Sequence, residues 1–200
     1  MIEFYDLIKT PKTKQVWNTS LANELGRLSQ GIRDIPGTNC VHFIPHTKVP
    51  AGRKVTYGKL VVDYRPTKSD PNRTRLTVGG NLLSYDGDLY TETTDIITIK
   101  LLLNSVLSTP GAKFMTANIN FFYLGTPMEV HEYMKIKYDM IPQEIKEKYN
   151  LEKIVHNRYV YIEMGKGMYG LKQAGILENK NLEKLLKEDG YGKTEHTPGL

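Results

Sequence analysis

The sequence predicts an α+β fold in which an antiparallel hairpin and further strands pack on helices. One observation is a helical pattern near the start, where large apolar residues recur every three or four positions. Another is a pair of segments rich in Val, Thr, Leu and Tyr, separated by a polar turn that contains prolines. A third is an alternating segment near residue 160, followed by a glycine-rich turn and a helical pattern.

The composition is typical of a globular chain. With 200 residues, of which 40% are hydrophobic and 24% charged, it can form one well-packed domain or two small ones. The net charge of +5 suits a polyanionic partner without requiring one. The only cysteine, Cys40, cannot form an intramolecular disulfide. Because residues 1–6 lack a signal-peptide layout and no apolar run reaches about 20 residues, we expect a cytoplasmic or nuclear protein without a membrane partner.

The first helix is expected to begin at Thr10 and Pro11, since threonine caps helices and proline is favoured at the first helical position. Its apolar side consists of Trp17, Leu21, Leu25 and Leu28. Gly31 is expected to end it. Residues 36–50, which contain three prolines, are predicted as a loop.

Residues 54–64 and 73–78 are predicted as the strands of a hairpin. This is the most basic segment of the chain. Its cations are Arg53, Lys54, Lys59, Arg65, Lys68, Arg73 and Arg75. Only Asp63 and Asp70 oppose them, so the hairpin suits contacts with phosphates.

The middle of the chain contains an unusually apolar helical segment. Thr94 and Asp95 can cap a helix that runs to about Leu107, and we expect it to be buried because little of its surface is polar. The remaining predicted elements are a strand at 113–119, a strand at 133–138, a short polar helix at 142–148 and a strand at 159–164.

The stretch GKGMYGLKQAG at residues 165–175 is the most informative in the chain. Glycine tolerates positive φ and lacks a Cβ, so this turn can bring bare backbone close to a partner. A helical pattern begins at Leu171 and is expected to stop at Gly190. Free N–H groups at the start of a helix can receive a phosphate, although an ordinary strand-to-helix turn has the same pattern.

Two short motifs could be mistaken for metal sites. Cys40, His42 and His46 combine thiol and imidazole groups, but a second ligand cluster is missing and Pro45 prevents a helix between the two histidines. We interpret them as loop residues. Residues 86–88, Asp-Gly-Asp, lack the later oxygen ligands of a calcium loop and are predicted as a turn.

Three stretches together resemble the reverse transcriptase of copia-type retrotransposons. Residues 73–80 are similar to the basic strand of the fingers, and residues 116–128 to the first catalytic motif of the palm. The octapeptide GMYGLKQA at residues 167–174 matches the second palm motif nearly letter for letter. The first helix, with Trp17 and Glu24, also resembles that of the family, so the likeness runs in order over almost the whole chain.

The resemblance implies a partial right-hand polymerase, with the fingers and the first part of the palm. Residues 1–112 would be a fingers-like region that carries the basic hairpin at 53–78. Residues 113–200 would be a partial palm. The family synthesises DNA on an RNA template, so the implied partners are a primer-template, deoxynucleotides and other parts of a retrotransposon polyprotein.

Catalysis in the family uses two Mg²⁺ ions held by aspartates. This sequence has Asn118 at the first of those positions, and an amide oxygen is a weaker ligand for Mg²⁺ than a carboxylate. The family's other catalytic aspartates lie further along than Leu200. We therefore expect no functional metal site and no polymerase activity in this chain.

The resemblance also implies binding residues. Tyr123 matches the residue that lies under the incoming sugar and excludes a 2′-hydroxyl. Gln173 matches a glutamine beside the incoming nucleotide, Arg75 is expected to reach the triphosphate, and Gly170 belongs to the same wall of the site. The residues expected to contact nucleic acid are Arg73, Arg65, Lys54 and Lys172.

Two other interpretations stay open. The chain could be a non-catalytic nucleic-acid-binding module that uses its basic hairpin as a phosphate-contacting arm. It could also be a translated relic without activity.

Overall fold

A computed structural model describes residues 3–91 and 93–194. These residues form an α+β structure with one curled sheet of five strands, so the predicted α+β class is confirmed. The helices are α1 Phe4–Lys9, α2 Pro11–Leu28, α3 Ile96–Ser108, α4 Gln143–Lys148 and α5 Ala174–Glu188. The strands are β1 Val41–Ile44, β2 Val55–Tyr64, β3 Asn72–Val78, β4 Pro127–Lys137 and β5 Tyr159–Lys166.

The strand order in the sheet is β1-β5-β4-β2-β3. All neighbouring strands are antiparallel except β2 and β4, which pair in parallel with Val55 opposite Tyr133. The sheet therefore combines strands from both sides of the expected junction between residues 112 and 113. The division of the chain into fingers-like and palm-like regions stays a prediction.

The hairpin forms as predicted, with pairing from Gly58 opposite Val78 to Tyr64 opposite Asn72. Its outer strand, β3, is an edge of the sheet, and helix α2 covers that edge. The Ser20 hydroxyl donates to the Asn72 carbonyl at 2.6 Å and accepts from the Thr74 N–H at 2.8 Å. Because these backbone groups are satisfied within the chain, this part of the edge is closed to a foreign strand.

Helix α2 begins at Pro11, as the sequence predicts, and its apolar side is buried. Leu21, Leu25 and Leu28 are at most 1% exposed. The core lies between α2, α4 and one face of the sheet. Its main strand residues are Val41, Leu76, Met134, Val160, Ile162 and Met164.

Helix α3 forms where it was predicted, but the prediction that it is buried is wrong. Asp95 caps the helix by accepting from the N–H groups of Ile97 and Thr98 at 2.8 and 3.0 Å. None of its residues is buried, and Leu107 is 82% exposed. An apolar pattern shows that a helix has a surface suited to burial, but burial also requires another element of the fold to pack against it. Among the described residues, no helix has the length and apolar character needed to cross a membrane.

Several further elements differ from the predictions. Residues 113–119 have no regular secondary structure and are exposed, so the predicted strand is wrong. A strand needs a neighbouring strand for its backbone hydrogen bonds, and within residues 3–91 and 93–194 this segment pairs with none of the five strands of the sheet. Residues 41–44 form β1 inside the predicted loop, and α5 begins at Ala174 rather than at Leu171.

Candidate functional site

The glycine-rich stretch leaves β5 and crosses to the end of β3. The N–H of Val78 donates to the carbonyl of Tyr169 at 2.8 Å, which joins the two backbones. Gly170 has a φ of +94°, and a Cβ there would collide with the Val78 carbonyl. A Cβ at Gly80 would in turn collide with the Gly170 carbonyl. Glycine is required at this contact because both backbones occupy the space that a side chain would need.

Tyr169 is the centre of the candidate site. The guanidinium carbon of Arg75 lies 5.9 Å from the centroid of the Tyr169 ring, within the range of a cation–π contact. The Tyr123 ring meets the Tyr169 ring edge-on, with 5.7 Å between centroids and an interplanar angle of 83°. Arg75 and Tyr123, which were predicted as nucleotide-binding residues, therefore contact one aromatic ring, and the predicted Gly170 is the next residue along the chain.

Sequence reasoning missed Tyr169 itself. The residue stands inside the octapeptide, between Met168 and Gly170, so its position beside the glycine was a usable signal. Its ring is partly buried and joins the hairpin to the turn that carries Tyr123. This bridging role depends on three segments that are distant in the sequence.

Gln173 lies on the same stretch, directly before α5. Its carbonyl accepts from the N–H of Leu177 at 3.0 Å, and the residue is 6% exposed. The following Ala174 is also buried, whereas the preceding Lys172 is exposed. Gln173 is thus held at the base of the helix, and Lys172 faces solvent.

Asn118 lies on the exposed segment at 113–119. Its side-chain amide is 3.5 Å from the Asn120 side-chain oxygen, and both residues are exposed. Asn118 offers one neutral oxygen donor and lacks the bridging carboxylates that a pair of Mg²⁺ ions needs. In residues 3–91 and 93–194, no three His, Cys, Asp or Glu side chains are arranged to hold a metal ion. The residues at this position do not fit the metal site implied by the resemblance.

The predicted nucleic-acid contacts have different environments. Arg73 pairs with Glu24 of α2 at 3.6 Å, and Arg27 contacts the same carboxylate at 2.9 Å. Arg65 donates to Asp63 at 2.6 Å, and this hydrogen bond lowers the pKa of Asp63. Lys54 is exposed at the start of the hairpin. Arg73 therefore takes part in an ion pair within the protein, whereas the side chain of Lys54 is exposed to solvent.

Glu24 is only 2% exposed, and this burial raises the pKa of its carboxyl. The nearby charges of Arg73 and Arg27 act in the opposite direction. A buried carboxylate needs such partners because removing it from water is costly. The ion pair of Glu24 with Arg73 connects α2 to β3, the edge strand that also carries Arg75, whereas its pair with Arg27 lies within α2.

Cys40 is buried, and its thiol donates to the Gly167 carbonyl at 3.3 Å. Burial raises the pKa of the Cys40 thiol to about 12. Its environment is that of an unreactive structural thiol, because the thiolate is the nucleophilic form. Cys40, His42 and His46 were interpreted as loop residues; His42 instead belongs to β1 and His46 to a 3₁₀ turn, His46–Lys48, while Cys40 lies outside regular secondary structure.

A second polar cluster consists of side chains from β4 and β5. The carboxylate of Glu163 accepts from the Tyr133 hydroxyl at 3.1 Å and lies 3.1 Å from Nδ1 of His131. Burial acts to raise the pKa of Glu163, but these hydrogen bonds outweigh it and leave the pKa below its ordinary value. The cluster ties β4 to β5.

No protein-family model, curated protein or solved structure matches this chain. The fold and site define an α+β protein in which an arginine, two tyrosines and a glycine turn converge at the end of a basic hairpin.

Proposed function

We propose that this chain is the fingers and early palm of a copia-type retrotransposon reverse transcriptase, and that it binds a deoxynucleoside triphosphate beside Tyr169. Arg75 contacts the triphosphate, Tyr123 lies under the sugar, and Gly170 and Gln173 form one wall. RNA-templated DNA synthesis is the activity of the family, and we expect it to be absent from this chain.

One observation carries the proposal. Arg75 and Tyr123, which the resemblance assigns to one nucleotide site, lie on two separate segments and both contact the ring of Tyr169, the residue that directly precedes Gly170. A guanidinium beside an aromatic ring and a glycine turn suits an anionic, planar ligand, because arginine can bind phosphate while the ring stacks.

The test is binding of dATP to the full chain by isothermal titration calorimetry. Replacing Arg75 with alanine removes charge-assisted hydrogen bonds worth about 1.5–3 kcal/mol, so we expect the affinity to fall about 10- to 100-fold. The control is Arg158→Ala, because Arg158 is a highly exposed arginine whose contact is an ion pair with Asp139. Equal affinities of the wild type and the Arg75→Ala variant would refute the assignment.

Catalysis is tested separately with a primer-template and deoxynucleotides in Mg²⁺. We expect no extension by the wild type, and none after Asn118→Asp, because a single carboxylate on an exposed segment does not make a two-metal site. Mg²⁺-dependent extension by the wild type would overturn this part of the proposal.

A second candidate is a non-catalytic nucleic-acid-binding module. It is favoured by the exposed cations of the hairpin, such as Lys54, Lys59 and Lys68. Binding to a primer-template duplex should weaken steeply with salt, because each neutralised phosphate releases counterions. Arg73→Ala should change this affinity little, since Arg73 pairs with Glu24.

A cooperative thermal transition of the chain would argue against the interpretation that it is a translated relic without activity.

A further inference from the structure

The turn that carries Tyr123 is held on one side by the glycine-rich stretch. Tyr123 belongs to a single 3₁₀ turn, Phe122–Leu124, which is followed by Gly125 and Thr126. The N–H of Gly167 donates to the Thr126 carbonyl at 2.9 Å. A Cβ at Gly167 would meet the Tyr123 carbonyl, so the two backbones are in direct contact.

Glu178 of α5 holds the other side of the same turn. The Thr126 hydroxyl donates to Oε2 of Glu178, and the two residues are 7% and 6% exposed. Burial raises the pKa of Glu178, while the Asn181 side chain and the Thr126 backbone favour its charged form. Burying a carboxyl group without hydrogen-bond partners is unfavourable, so movement of Thr126 away from Glu178 would cost free energy.

We propose that Glu178 is a positioning residue that fixes the Tyr123 turn against α5 and thereby sets the preference of the site for deoxyribose over ribose. This inference rests on the proposed nucleotide site. Tyr123 can exclude a 2′-hydroxyl only if its backbone cannot retreat, and Thr126 is the point at which the turn is tied to a helix. A site whose supporting contacts are loose loses selectivity before it loses binding.

Three variants separate the hydrogen bond from other effects. Glu178→Ala removes the acceptor and leaves the Thr126 hydroxyl without it, whereas Glu178→Gln keeps an acceptor oxygen and nearly the same volume. Thr126→Val removes the donor and keeps the carboxylate, which covers the case in which Glu178→Ala fails to fold. Glu188→Ala, at the exposed end of α5, is the matched control.

Sugar preference is measured with the full chain as the ratio of the Kd for ATP to the Kd for dATP. We expect this ratio to fall about tenfold in Glu178→Ala and Thr126→Val, as for the loss of one buried hydrogen bond. In Glu178→Gln and Glu188→Ala the ratio should stay close to its wild-type value. General loss of folded protein would weaken both ligands equally and leave the ratio unchanged.

A second measurement is amide hydrogen exchange of residues 122–128 in the protein without bound nucleotide. Faster exchange is expected in Glu178→Ala and Thr126→Val, and no change in Glu188→Ala, because the turn loses its attachment to α5. A wild type that binds neither nucleotide overturns the proposed function, and with it this inference. A ratio that stays at the wild-type value in folded Glu178→Ala and Thr126→Val variants overturns the inference alone.

Discussion

Replacement of Gly170 with alanine tests the contact on which the candidate site is built. An alanine at a φ of +94° has an unfavourable backbone, at a cost of about 1–2 kcal/mol. Its Cβ would also collide with the Val78 carbonyl and lie 2.8 Å from the Val78 nitrogen, so one of the two backbones must move. That movement breaks the hydrogen bond from the Val78 N–H to Tyr169, which adds about 1–3 kcal/mol for a buried donor without a partner.

Gly52 provides the matched control. Its φ is +81°, but a Cβ there would have nothing within 4 Å. Gly52→Ala should therefore cost only the backbone strain of about 1–2 kcal/mol, and Gly170→Ala about 2–5 kcal/mol in total. The difference between them isolates the contact of the glycine-rich stretch with β3.

The assay is urea unfolding followed by the fluorescence of Trp17, the only tryptophan, which is 7% exposed. A loss of about 2–5 kcal/mol would be a large part of the roughly 5–15 kcal/mol that stabilises a typical domain. The free energies of unfolding come from linear extrapolation at an unchanged m-value. Equal values for Gly170→Ala and Gly52→Ala would refute the argument that the two backbones are packed together.

Three further predictions concern other parts of the molecule. Arg73→Ala should lower the free energy of unfolding by about 1–3 kcal/mol, because it removes one of the two cations beside the buried Glu24; no change would contradict the ion pair. Since the folded-state pKa of Glu163 lies below its ordinary value of 4.5, its stabilising effect is complete above that pH and is lost as the pH falls through the folded-state pKa. Urea unfolding at stepwise lower pH should therefore show a smaller loss of stability for Glu163→Gln than for the wild type, and parallel curves would contradict this. Leu107→Lys in α3 should change the free energy of unfolding by less than about 0.5 kcal/mol, because the side chain is 82% exposed; a loss above about 2 kcal/mol would show that α3 is buried after all.

The sequence was a good guide where one segment carries the whole signal. Helix α2 starts at Pro11 and buries Leu21 and Leu25 because proline placement and apolar spacing are local properties. The hairpin strands likewise follow from composition and a polar turn. The same reasoning failed for the burial of α3 and for the strand at residues 113–119, since burial and strand pairing both require a second element.

The residues of the candidate site also fall into two groups, those predicted from the sequence and those found only in the tertiary structure. The glycine turn follows from the motif at residues 167–174, whereas Gln173 and Arg75 were predicted as nucleotide-binding residues from the family resemblance, and that role stays a prediction. The tertiary structure added Tyr169 as the shared neighbour and Glu178 as the support of the Tyr123 turn. It also showed that Arg73 pairs with Glu24, although its charge alone suggested a nucleic-acid contact.

The sequence by itself determined the start of α2 at Pro11, the position of the hairpin, and the presence of a glycine-rich turn after β5. Those features depend on backbone preferences and on the spacing of side chains along one segment. Only the tertiary structure decided that β2 pairs in parallel with β4 and that Gly170 meets Val78. Such contacts join segments far apart in the chain, so they depend on how all the elements share one core and not on any segment alone.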